Sequence, residues 1–287
     1  MTEVFVAAHK KADVRLPGYC RMIQVGSVLH DRIDGYLYDD WGGQDNISEK
    51  NSFYCELTAL YCLWKHSSAD IRGLYHYRRM FYNGEALRCN KCSISKYPGE
   101  IAGFCLTEEQ ISEYLKESDV IDEIPYFPWP KTVEEDLLRF CYPEDVKRFS
   151  EVILNDYPAY YETFLQVMQS RHISYRNMMI AKQEIFEPYC EWLFEVLARC
   201  EGVIDISGYD RPHQRIFGYL SEILMNVWIR KHGLKEHHVP RLVVLEKDQS
   251  RADCLKKRII QKLAFANVRL PIEESRVIDA CRKDFSV

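Results

Sequence analysis

Three segments within the first 81 residues constrain the fold of this chain more than any other feature. A short β-branched and apolar run, "EVFVAA" at 3–8, comes first. Helical periodicity follows from Asn46 to about His66, and a second extended run, "IRGLYHYRRMF", occupies 71–81. A strand, a helix and a strand in that order predict an α/β sheet, and such sheets take ligands at the carboxyl ends of their strands. The first run ends in His9 and Lys10 and the last carries "HYRR", so polar side chains are expected along that edge.

The rest of the chain extends the pattern. "MIQVGSVL" at 22–29 reads as a second strand, and Asn46-x-x-Glu49 resembles a capping box at the start of the 46–66 helix. Thr107-x-x-Gln110 opens another helix to about Ser118, followed by a strand at "DVIDEI" and by "PYFPWPK" at 125–131, whose three prolines predict a loop. Residues 132–170 are helical in pattern, with Pro143 suited to a first turn. "NMMIA" is a brief strand, 183–200 and 213–232 are helices separated by "GYDRP", and "VPRLVVLE" is the last strand. With no repeat, low-complexity tract or linker, one domain is expected over 1–287. It comprises an α/β half at 3–124, a helix-rich half at 125–245 and an amphipathic tail at 246–287.

Composition narrows the function classes. A hydrophobic share of 47% suits a globular protein, and a net charge of -5 gives no global attraction to nucleic acid. Neither a secretory signal nor an apolar run of membrane-spanning length is apparent, so a cytosolic protein with reduced thiols is expected of the 11 cysteines. Cys89 and Cys92 form a C-x-x-C with no second ligand pair, which is read as incidental. Aromatic residues make up 13%, a supply suited to a polar-lined pocket as well as to the core.

Two clusters could carry chemistry. In "WGGQDNISEKN", Asp45, Asn46, Ser48, Lys50 and Asn51 crowd the mouth of a buried helix. Lys50 and Asn51 share a helical stripe with Ile47, Tyr54, Leu57, Thr58 and Tyr61, and a helix N-terminus with a lysine one turn in attracts phosphate. The alternative, of equal weight, is that Asn46 and Ser48 cap the helix and Lys50 reaches solvent. Glu56 lies among Phe53, Ala59, Leu60 and Leu63 and needs a cation, for which "HYRR" is nearest. Strand alternation would put His76 and Arg78 on one face and Tyr77 and Arg79 on the other. One arginine would then pair with Glu56 while the second either faces a ligand or is solvated. The tail stretch "RADCLKKRIIQK" has five basic residues against one acid and reads as an amphipathic helix. It would pack on its own domain or, less favoured, rest on anionic lipid.

"VFVAAHKK", "DNISEKN", "YCELTALYCLWK" and "GLYHYRRMF", in that order and spacing, resemble the bacterial capsule and exopolysaccharide glycosyltransferase family catalogued as domain of unknown function 4422. The likeness continues in "NMMIAKQEIFEPYCEWLFEVL" and "QRIFGYLSEILMNVWI", covering roughly 3–245. It implies a GT-A-like, Rossmann-like mixed sheet flanked by helices. The implied activity is transfer of a hexose, with galactofuranose favoured, from a UDP-sugar to a hydroxyl of a lipid-linked capsular, exopolysaccharide or O-antigen glycan. The place of action would be the cytoplasm, at the inner face of the membrane. A UDP-galactopyranose or UDP-glucose user of the same fold is one alternative, and a catalytically inert sugar-nucleotide or glycan-binding subunit is another.

The resemblance also implies roles. His9 would sit near the uracil or ribose, and Asp45, Asn46, Ser48, Lys50 and Asn51 would contact nucleotide and sugar, with His76 and Tyr77 in the same donor set. No strand ends in the Asp-x-Asp that many GT-A enzymes use for a metal. The diphosphate would therefore be neutralised by Arg78, Arg79 and Lys50, with no cofactor required and a divalent metal not favoured. Asp39 and Asp40 stay as weak metal candidates. Glu222 matches a carboxylate of the family and is expected to be the base that deprotonates the acceptor. Ile223 stands where members commonly carry arginine, and "RFCYPED" at 139–145 lacks expected histidines, which bears on acceptor preference.

Overall fold

A computed structural model describes residues 1–84, 101–125 and 132–244, together with the backbone of 91–94. The strands are β1 (Thr2–Ala8), β2 (Cys20–Gln24), β3 (Leu37–Tyr38), β4 (Ile71–His76), β5 (Arg79–Phe81), β6 (Lys91–Ile94), β7 (Val120–Glu123), β8 (Met179–Lys182), β9 (Glu236–Val239) and β10 (Arg241–Val244). The helices are α1 (Asn51–Tyr54), α2 (Leu57–His66), α3 (Glu108–Glu117), α4 (Val133–Leu137), α5 (Pro143–Asp156), α6 (Pro158–Gln169), α7 (Gln183–Val203), α8 (Arg211–Gln214) and α9 (Ile216–Lys231).

All the strands join one mixed sheet flanked by helices, the α/β class expected. β3, β2, β1 and β4 run parallel in that order. Val4, Phe5 and Val6 of β1 have 0% exposure, as a parallel strand covered on both faces requires. Alternate residues serve opposite cores: Phe5 and Ala7 pack with the α2, α7 and α9 side chains, Val4, Val6 and Ala8 with Tyr75, Phe81, Ile121 and Ile180. β4 is the branch point. Its carboxyl end pairs antiparallel with β5, which continues to β10 and β6, while its amino end pairs antiparallel with β8, which continues to β7 and β9. Gly73 permits that second junction, because a Cβ there would lie 2.6 Å from Ile180 Cγ1 and 2.8 Å from the Met179 carbonyl.

Several boundaries differ from expectation, each for a local reason. The 46–66 helix is broken: a 3-10 turn at Ser48–Lys50 and the short α1 precede Cys55, whose φ of 56° and ψ of -129° interrupt the helix before α2. Asn46 makes no capping box. Its Oδ1 accepts the Ser48 N–H at 3.1 Å from outside the helix, and Ile47 occupies the cap position. The 71–81 run is a hairpin, turning at Tyr77 and Arg78 so that His76 pairs with Arg79. "MIQVGSVL" leaves the sheet at Gln24, just before Gly26 with φ +65°, and "VPRLVVLE" splits at Pro240 into β9 and β10. The 132–170 stretch is three helices. The Thr107–Gln110 capping box is present, and Pro143 opens α5. The "YFPWPK" part of the proline-rich stretch, Cys89 and the 246–287 tail lie outside the described residues. No described helix is long and apolar enough to cross a membrane.

Candidate functional site

Pairing of β1 with β4 sets Ala7 beside His76, so the ends of both strands open on one edge. In an antiparallel pair, residues directly opposite each other project from the same face, which places His76 and Arg79 side by side. Next to them runs the segment Ser174–Asn177, which leads into β8.

That segment is strained and heavily braced. Arg176 and Asn177 have φ of 75° and 53°, a left-handed conformation that costs non-glycine residues on the order of 1–3 kcal/mol when strained. Asp122 Oδ2 accepts the Ser174 hydroxyl at 2.5 Å, and Asn226 grips the Ser174 backbone from both sides, at 3.0 and 2.7 Å. Glu123 accepts the Tyr175 N–H at 3.2 Å and the Arg176 guanidinium at 2.5 Å. Glu222 accepts the Arg176 N–H at 2.7 Å, and Asn177 Nδ2 donates to Glu56 at 2.8 Å. Cys55, another of the positive-φ residues, immediately precedes Glu56, so three of the four described non-glycine residues with positive φ meet in one place.

The charges around this segment are unevenly matched. Glu123, with 1% exposure, takes both Arg176 and Arg241. Arg79 makes no hydrogen bond or ion pair with the described residues, although it is half-buried. Burial first, then the nearby Arg176, Arg241 and Arg78, hold its pKa below the usual guanidinium value. Glu222 is the converse. Burial, with Glu56 and Glu123 nearby, pushes its carboxyl up to about 8 against the opposing pull of Arg176, so it is protonated at neutral pH. Burial also holds His76 below the usual imidazole value, with Arg79 adding to the effect and Glu56 opposing it. Its Nε2 lies 2.8 Å from the Arg176 carbonyl, to which it must donate, so the Nδ1 lone pair is left available.

The structure brings together His9, His76, Tyr77, Arg78 and Arg79. The His9 ring meets Tyr77 edge-on at 5.4 Å, and Arg78 and Lys10 lie over the same ring at 5.0 and 5.9 Å. Glu222 joins them through Arg176, whose N–H it binds and whose carbonyl His76 binds. The expected partner of Glu56 is corrected: its carboxylate meets Asn177, with His76 at 3.9 Å, in place of an arginine, because the hairpin turns Arg78 away from the strand position assumed.

The "DNISEKN" residues are held differently. Ser48 has 0% exposure and donates to Asp39 at 2.5 Å, so it supports the loop and offers no surface to a ligand. Lys50 Nζ sits 2.8 and 2.9 Å from the two Glu201 oxygens and is committed to α7. Asp45 accepts from Tyr61 at 2.8 Å, Asn46 makes the local turn already described, and Asn51 donates to the Cys55 carbonyl at 2.7 Å. Asp39 and Asp40 are taken up by protein partners. Asp39 accepts from the backbones of Gly26 and Ser27 and the hydroxyls of Ser27 and Ser48, and Asp40 pairs with Arg32 at 2.5 Å.

Sequence reasoning missed Glu123, Arg176, Asn177 and Arg241. Two acids inside the apolar strand "DVIDEI" were the available signal, since buried carboxylates demand cations from elsewhere. Cavities of about 570 Å³ lie beside Met1, Arg21 and Glu108 and beside Asp70, Lys182 and Glu187, and none of the clustered residues lines either.

A family model described as "Domain of unknown function (DUF4422)" matches residues 3–233. Among solved structures, the apo WbbM bifunctional glycosyltransferase shares the fold, with a TM-score of 0.73 and 24% identity. The match covers 85% of this chain and 45% of that one, so this chain spans less than half of its neighbour. No curated protein matches the chain.

Proposed function

This chain belongs to the DUF4422 family, and from that premise we propose that it is a glycosyltransferase using a UDP-sugar donor. The favoured donor is UDP-galactofuranose, and the acceptor is a hydroxyl of a lipid-linked bacterial surface polysaccharide, reached in the cytoplasm at the inner membrane face. Its fold is that of a glycosyltransferase, which supports the reaction class.

Arg79 carries the proposal. A half-buried guanidinium crowded by Arg78, Arg176 and Arg241, with no carboxylate hydrogen-bonded to it among the described residues, favours an anionic ligand. The diphosphate of a UDP-sugar carries one negative charge on each phosphate, in the form that guanidinium groups bind. As the bond to the sugar breaks, charge grows on the departing phosphate oxygen, and fixed guanidinium groups stabilise it without reorganising. Arg78, Arg79 and Arg176 hold the diphosphate in this scheme, with no divalent ion needed. His9 and Tyr77 border the nucleoside. Asp45, Asn46, Ser48, Lys50 and Asn51 build the supporting loop. Glu222, once deprotonated, takes the proton of the acceptor hydroxyl.

Titration calorimetry and thermal shift with UDP test the donor site. UDP should stabilise the protein saturably, and Arg79→Ala should weaken it about 10- to 100-fold, the worth of a charge-assisted hydrogen bond of ~1.5–3 kcal/mol. The unliganded variant should melt no lower than wild type, because the substitution relieves repulsion. Absence of stabilisation at millimolar UDP would rule the donor out.

A further inference from the structure

Asp122 and Glu123 project from opposite faces of β7, and only Glu123 reaches the arginines. Asp122, with 0% exposure, belongs to a different group. Parallel pairing sets it level with His238 of β9, and Glu236, two residues earlier, shares His238's face. The donor atoms of Asp122, Glu236 and His238 all lie within 4.8 Å of one another.

We propose that Asp122, Glu236 and His238 bind one divalent metal ion of the Zn²⁺ or Co²⁺ class, and that its binding braces the Ser174–Asn177 segment. Two carboxylates and an imidazole are a donor set such ions accept. The ligands sit on two hydrogen-bonded strands in fixed register, so little ordering remains to be done on binding. The second oxygen of Asp122 is held by the Ser174 hydroxyl at 2.5 Å, the kind of outer hydrogen bond that orients a metal-binding carboxylate. The first oxygen of Asp122 lies 2.6 Å from His238 Nδ1, and the Glu236 carboxylate stands within 4.8 Å of both, so an ion would take the place now held by the proton of that His–Asp contact. The nearest guanidinium, Arg230, is spent on Ser170 and the His172 carbonyl at 3.3 and 3.1 Å. His238 is 36% exposed, which gives an ion and its remaining water ligands a way in.

None of these residues takes part in the proposed sugar transfer, so the metal site stands or falls independently of the donor. The test uses the full chain, stripped with a chelator and titrated with Co²⁺ and then Zn²⁺ by visible absorption and calorimetry. Expected is one equivalent with a cobalt d–d band lacking thiolate charge transfer, and a rise in melting temperature. Glu236→Gln and His238→Gln should each lower affinity on the order of 100-fold or more, and Glu236→Gln, which leaves the His238–Asp122 contact in place, should melt near wild type without metal. No saturable equivalent, or one equivalent retained in both variants, overturns the site. A thiolate band surviving in both variants assigns the metal to cysteines and overturns it equally.

Discussion

Glu222 couples acid–base chemistry to stability. Its carboxyl moves from 4.5 to about 8 on folding, so between those values the folded state holds a proton that the unfolded chain has released. The folded state therefore loses stability as pH rises through this window. Glu222→Gln should raise the melting temperature relative to wild type, by little near pH 5 and by a plateau value above about pH 8. Scanning fluorimetry across pH checks this, and a flat difference would refute the burial of this group. Wild-type turnover should climb towards pH 8 and fall by orders of magnitude in the same variant with UDP affinity kept. The sequence exposed the oddity of Glu56 and the arginine pair, since charges among apolar neighbours are visible in one dimension. It hid Arg176 and Asn177, whose importance comes from left-handed backbone and from acids more than forty residues away in sequence.

Elements were legible where periodicity ran unbroken and where turn residues marked the ends. α3 has its capping box and α5 its leading proline, and both lie where the sequence puts them. The hairpin at Tyr77–Arg78 escaped because no glycine, proline or asparagine announces it. The break at Cys55 escaped because a single residue in an unusual conformation leaves the apolar pattern on either side intact. Conversely, the Gly73 contact is a packing requirement that no local propensity reveals. Gly73→Ala should destabilise the protein by about 1–3 kcal/mol, the usual cost of overfilling a packed junction, by prising β8 from β4. Urea unfolding reads this directly, and an unchanged midpoint would mean that the two strands separate without cost.

At the scale of the molecule, the strand–helix–strand order was enough to foresee an α/β sheet, and the family resemblance implied that it is mixed, whereas the branching at β4 was not foreseen, because two antiparallel partners on one strand follow from tertiary assembly alone. That branching gathers the β5 hairpin, the β8 approach and β10 around a single edge, and so concentrates Arg79, Arg176 and Arg241 there. The consequence reaches the bench. If the proposed donor site is right, sulfate, phosphate or citrate carried over from purification should compete for these guanidinium groups, so a preparation kept in such salts should start out partly occupied. On that proposal UDP should bind more weakly in those buffers than in dilute chloride, and equal affinity in both would count against a donor held by these arginines.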